Sequence, residues 1–217
     1  MGTITRSFAN NITTSGVLLP ASLNNNSIAN VTSYNAAVAT GGMVLLSTQT
    51  ASSSASISFT TGINSTYKEY QFYFINCHPA VNLDYFGFQG STNGGSSYGI
   101  TTTSTHFFAG HEEDDSWTGL AYATSYDLAQ SSSDIPIGAN VKNDNDIGIS
   151  GMLSLYNPSS TTYVKHFISS TNHVGTDENT NSYVAGYLNT TTAINAVKFS
   201  FSSGNIDDGT ILMYGIV

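Results

Sequence analysis

Charge is what this chain has least of. Only 9% of its 217 residues are Asp, Glu, Lys or Arg, where an ordinary soluble domain carries roughly 25%. Positive charge is scarcer still: five Lys plus Arg stand against 14 Asp plus Glu, for a net charge of −9. Binding nucleic acid requires several basic phosphate contacts, and an anionic membrane surface asks for the same, so both partners are excluded. A single cysteine, Cys77, leaves no intrachain disulfide. It sits in the apolar run 72–77 and reads as a buried, inert thiol. No stretch approaches the ~20 apolar residues of a membrane span. The opening Met1-Gly2-Thr3-Ile4-Thr5-Arg6 has no basic region followed by a long apolar one, so synthesis in a host cytoplasm without a secretion signal is expected. Long stretches of Ala, Leu, Glu, Lys and Arg are also missing, and with them any long helix.

What remains is apolar and uncharged polar. Hydrophobic residues make up 40% of the chain, including 13 Tyr and 11 Phe, enough to close one core. Ser, Thr, Asn and Gly fill the gaps between apolar runs, and these residues suit strands and turns rather than helix interiors. From Met43 onward, strand signals recur with turn signals between them. The run 67–76 is largely apolar on both faces, Tyr70/Phe72/Phe74 and Gln71/Tyr73/Ile75, and is expected to lie centrally. The stretch 119–128 reads as one strand, and Asn157-Pro158-Ser159-Ser160 as a tight connection. Val197, Phe199 and Phe201 alternate with Lys198, Ser200 and Ser202, as in a one-sided antiparallel strand. About eleven strands are too many for one flat sheet. The predicted fold is all-β, an antiparallel β-sandwich of jelly-roll type over 43–217.

Residues 1–42 differ from the rest. Arg6 is the only charged residue before Tyr67, and short apolar islands (Ile4, Phe8, Ile12, then Val17-Leu18-Leu19) sit in Asn/Thr/Ser. Such a segment has too little apolar area to fold alone and too much to float free. It reads as an extended arm laid on a neighbouring subunit or another protein, partly by strand addition. A first pair of strands within the same domain is the alternative.

A resemblance rests on four stretches. They are Leu46-Ser47-Thr48-Gln49-Thr50-Ala51-Ser52-Ser53-Ser54-Ala55-Ser56-Ile57-Ser58-Phe59-Thr60, then Phe88-Gln89-Gly90-Ser91-Thr92-Asn93-Gly94-Gly95-Ser96-Ser97-Tyr98, then Tyr156-Asn157-Pro158-Ser159-Ser160, and Ser203-Gly204-Asn205-Ile206-Asp207-Asp208-Gly209-Thr210. Together they resemble a β-sandwich module of cyanophage virion proteins, among them capsid-surface and tail-fibre components. The likeness covers roughly 43–217 and includes no catalytic signature. It implies a place on the outer surface of a tailed-phage virion and leaves open which part.

Chemistry-bearing patterns are weak. His111-Glu112-Glu113-Asp114-Asp115 is the one charge run; it lacks His-Glu-x-x-His or Cys/His spacing and reads as a solvated acidic loop. Asn143-Asp144-Asn145-Asp146-Ile147-Gly148 has a superficial likeness to a calcium loop. However, Leu155 stands where the twelfth-position Glu belongs, so it reads as a turn. Asp207-Asp208-Gly209 reads as a hairpin turn. No Gly-x-Ser-x-Gly elbow or Gly-rich phosphate loop occurs; His78, His166 and His173 have no signature partners, and His166 reads as a satisfied structural histidine. The expectation is therefore a non-enzymatic protein without metal or cofactor. Trp117, Tyr122 and Tyr126 are the candidates for a surface or receptor contact, because aromatic rings stack on sugars and anchor interfaces.

Two readings follow. In the first, the chain is a capsid decoration or cement protein whose arm threads along the major capsid protein. In the second, it is a tail-fibre or receptor-binding protein touching a host-surface glycan. The absence of a coiled-coil or β-helical shaft favours the first. In both, edges without protective charge predict closure into a homotrimer.

Overall fold

The computed structural model describes residues 42–217. The arm residues Ile4, Phe8, Ile12, Val17, Leu18 and Leu19 lie outside the described residues. Thirteen strands follow: β1 (Met43–Thr50), β2 (Ile57–Phe59), β3 (Glu69–Pro79), β4 (Asp84–Ser91), β5 (Thr102–Glu112), β6 (Thr118–Tyr122), β7 (Leu128–Ser131), β8 (Ile135–Val141), β9 (Ile149–Tyr156), β10 (Lys165–Val174), β11 (Glu178–Leu188), β12 (Ala196–Phe201) and β13 (Ile206–Ile216).

They form two antiparallel sheets, one of nine strands and one of four. The order β1-β13-β3-β9 in the larger sheet faces β2-β12-β4-β8 in the smaller. Strands β1 to β4 alternate between the sheets, as do β8, β9, β12 and β13. This is the double Greek-key order of a jelly roll. Two insertions enlarge it. The segment β5–β7 lies between β4 and β8, and the hairpin β10–β11 lies between β9 and β12. Both add to the same edge of the larger sheet, in the order β9-β10-β11-β5-β6.

The core lies between the jelly-roll halves. Phe199 sits at its centre, with ring centroids 5.1 to 6.3 Å from Phe59, Phe72, Phe74, Phe86 and Phe88. Each ring buried there contributes roughly 1.5–3 kcal/mol from area alone, with edge-to-face pairs adding about 1 kcal/mol each. Tyr70, Phe72 and Phe74 supply the inner face of β3, so the strand is central in its sheet as expected. Its other face, Gln71, Tyr73 and Ile75, is not covered.

Three local expectations change. The stretch 119–128 is two strands: Tyr126 N–H donates to the Ala123 carbonyl, closing a turn that sends β7 back onto β5. Asp207 and Asp208 lie inside β13 at a bulge rather than in a hairpin turn. Gly209, at φ +126°, packs against the backbone of Cys77 so closely that a Cβ would clash at 2.6 Å. The outward side of β12 is also covered, because Asp134 reaches over it to Lys198 Nζ at 3.0 Å and Ser200 Oγ at 3.1 Å.

Candidate interaction surface

The outward face of the larger sheet carries an uncharged row running across it. Registers place Leu212 of β13 beside Tyr73 of β3, Tyr73 beside Met152 of β9, and Met152 beside Ser170 of β10. From Ser170 the row continues through Tyr183 of β11 and Phe107 of β5 to Tyr122 of β6. A parallel row runs Leu45, Tyr214, Gln71, Ser154, Ile168, Ala185. Leu45 is 51% exposed, Ile168 55% and Tyr122 52%, most of the others are half-buried, and Ser154 is buried. Phe107 and Tyr183 stack on each other at 5.2 Å, and Tyr73 meets Tyr214 edge-on at 5.6 Å. Rigid, pre-packed aromatics of this kind lose little side-chain entropy when covered.

The two ends of the sandwich differ in charge. At the end where β10 turns into β11, Glu113 N–H donates to the Asp177 carbonyl at 2.9 Å, and Lys142 Nζ lies 3.4 Å from Asp177 and 3.8 Å from Asp144. Asp146, Asp207 and Asp208 line an open recess of about 550 Å³ beside Asn76 and His78. The stretches 143–148 and 207–209 singled out in the sequence thus meet at one acidic end. Among the described residues, no three His, Cys, Asp or Glu side chains form a metal-holding group. The exposed run 113–115 continues from β5, with Asp114 held below the usual carboxylate range by hydrogen bonds from Ser116. The opposite end joins loops of Asn, Ser, Thr and Gly: Ile194 N–H donates to the Pro158 carbonyl, and Asn195 N–H to the Ser91 carbonyl. The chain enters the sandwich at this end through Met43. Lys165 is fully buried here, donating to the Tyr163 carbonyl at 2.7 Å and the Thr190 carbonyl at 3.0 Å, and burial lowers its pKa.

Trp117, Tyr122 and Tyr126 are not brought together. Tyr122 points outward beside Phe107, its hydroxyl donating to Asp127 at 2.8 Å. Trp117 lies on the other face of that hairpin, flat over Gly110 and Gly119, where added Cβ atoms would stand 2.5 and 2.7 Å from its ring. It remains 38% exposed. Tyr126 turns toward the smaller sheet, donating to Asn140 Oδ1 at 2.9 Å with its ring 5.8 Å from His106.

His166 is not the satisfied structural histidine expected. It lies exposed on the outward face near Tyr187, whereas His106 and His173 are the buried ones, each 1% exposed. Burial pushes both down to about 4. The Asp127 carboxylate opposes the shift at His106, and the Ala139 carbonyl opposes it at His173. That carbonyl only accepts, so His173 Nε2 is the protonated nitrogen and Nδ1 is bare. His106 Nδ1, His173 Nδ1 and Ser182 Oγ have no hydrogen-bond partner among the described residues. A cavity of about 40 Å³ lies beside His106, Tyr126, Asn140 and Ser182. Acyl transfer needs a nucleophile hydrogen-bonded to its base, and His106 makes no such bond to a serine among the described residues. Cys77 is buried as expected, its thiol pushed up to about 12 by burial, which removes thiolate chemistry at neutral pH.

No protein-family model, curated protein or solved structure matches this chain.

Sequence reasoning missed the outward rows because each strand contributes only one or two of their residues. The available signal was β3, whose Tyr73 and Ile75 were apolar on the second face.

Proposed function

We propose that this protein is a non-enzymatic structural component of the outer surface of a tailed-phage virion. It acts there as a capsid decoration or cement protein, with residues 1–42 as the arm that joins it to neighbouring virion proteins. The observation that carries the reading is the uncharged aromatic face of the larger sheet. Monomeric soluble proteins rarely leave a contiguous apolar patch above a few hundred Å² in water, and such patches mark assembly surfaces. Jelly rolls recur in viral capsid and lectin domains, which supports the setting by analogy of fold alone. The end where Met43 enters, which lacks the carboxylate cluster of the other, is the side turned toward the particle. The acidic end is turned outward, where like charges stay hydrated and keep particles apart. Assembly as a homotrimer about a local three-fold axis fits this arrangement.

Quantitative mass spectrometry and reconstruction of purified virions test the reading. Hundreds of copies on the capsid are expected. Tens of copies at the tail would favour the second reading, a tail-fibre or receptor-binding protein. That reading draws on Trp117, an indole held flat by two glycines and partly open, as a sugar-stacking platform for a host glycan requires. Absence from the particle would overturn both.

A further inference from the structure

We infer that the outward face of the larger sheet is the contact through which copies of this chain bind one another. The inference deepens the assembly reading and rests on it only for its biological setting, since the face itself is argued from geometry.

Size is the first argument. Eight strands lie side by side from β1 to β6. At about 4.8 Å per strand they span about 34 Å, and three rows of outward side chains cover roughly 20–24 Å along the strands. The face therefore offers on the order of 700–800 Å², close to the ~800 Å² per partner of a stable protein–protein contact.

Charge is the second. No Lys, Asp or Glu interrupts the row from Leu212 to Tyr122. Carboxylates touch the rows only at their margins, where Asp127 accepts from Tyr122 and Glu69 from Gln71, so the middle of the face offers a neutral partner contacts and a charged one few. The carboxylates at the acidic end begin five residues along the strands from Tyr183 and Phe107, at Glu178 and Glu112. At about 3.3 Å per residue that distance is roughly 16 Å, about two Debye lengths at physiological salt. Two copies each carrying −9 can therefore approach through the rows with their acidic ends set apart.

Self-matching is the third. A contact between like copies must present surface that complements itself. The rows meet this with rings beside a small and a pliable residue: Tyr183 and Tyr73 flank Ser170 and Met152, so the rings of one copy have room over the serine and an adaptable thioether to pack on in the next.

Sedimentation equilibrium or light scattering on the full chain tests the inference without any particle. The wild type is expected at two or three times 22.9 kDa across ~1–100 µM. Ile168→Glu and Tyr183→Glu are expected to shift it to the single-chain mass with the native β circular dichroism retained. Tyr163→Glu, in an exposed loop off this face, is expected to leave the mass unchanged. If Ile168→Glu loses the native spectrum, Leu120→Glu, at a site 70% exposed on the sheet margin, carries the test. A wild type at single-chain mass throughout, as a face reserved for a different protein would give, overturns the inference. So do face variants that keep the oligomer. Either failure leaves the virion location standing, and absence from virions leaves the self-contact standing. A dimer rather than a trimer supports the face and corrects the symmetry.

Discussion

The larger sheet is one hydrogen-bonded surface with two different interiors. In its jelly-roll half, β1, β13, β3 and β9 turn Phe72, Phe74, Leu153, Leu155, Ile211 and Met213 toward the smaller sheet. In its inserted half, β10, β11 and β5 turn Phe167, Val184 and Leu188 inward at one end and then mostly polar residues, Ser169, Thr171, His173, Thr180, Ser182, Ser104 and His106. Four strands cannot cover nine, so β8 and the adjoining loops lie over the inserted half. The β8 backbone meets part of the polar layer: Thr171 Oγ1 donates to the Ile137 carbonyl and His173 Nε2 to the Ala139 carbonyl, while Ser182 Oγ and His106 Nδ1 have no partner among the described residues. The difference teaches that an insertion can widen a sheet while its apolar core tapers: Phe167, Val184 and Leu188 carry the core onto β10 and β11, and hydroxyls and imidazoles take over beyond them.

Mutating each interior breaks or upholds that contrast. Phe199→Ala, which removes the ring at the centre of the jelly-roll core, is expected to cost about 3–5 kcal/mol. Thr171→Val, which keeps volume and loses one hydrogen bond in the inserted half, is expected to cost about 1–2 kcal/mol. Denaturant unfolding reads both, and equal costs would show that the two halves are one core.

Acid separates them next. Both histidines are neutral when folded and held near 4, below their ordinary 6.5, so the unfolded chain binds more protons between those values. Their stabilisation is present in full above pH 6.5 and is lost as pH falls toward 4, by about 2 kcal/mol per histidine at pH 5. The melting temperature should fall between pH 7 and 5, and His106→Gln or His173→Gln should flatten that slope. An unchanged slope in both variants would remove the histidines from the account.

The smallest effect is at the hairpin tip. Trp117 is the chain's one tryptophan, so its fluorescence reports Gly110 and Gly119 directly. Gly110→Ala should lift the indole into water and shift its emission to the red, at a stability cost of about 1 kcal/mol. An unmoved spectrum would mean that the ring is not held there.

Some of this was legible in the residues alone. Period-two alternation in 197–201 and 70–74, turn residues such as Asn157 (φ +45°) and the poverty of helix formers fix strands and breaks locally. The sandwich class follows from strand number and one apolar set per strand. Locally ambiguous residues were misread for the same physical reason. Nothing near Asp208 reveals that Cys77 backbone packs on Gly209 and makes a bulge, and nothing near His166 or His106 says which lies inward.

By itself, the sequence determined the class, most of the strand positions, the inert Cys77 and the shortage of charge, all properties of near neighbours and of composition. Only the tertiary structure decided which face of each strand meets water, that both insertions extend one edge, and that carboxylates from loops and from a strand bulge share one end. It also joined Leu212, Tyr73, Met152, Tyr183, Phe107 and Tyr122, scattered from residue 73 to residue 212, into one row. Pairing register between distant strands sets those neighbours, and a slip of one residue would turn every side chain of a strand to the opposite face.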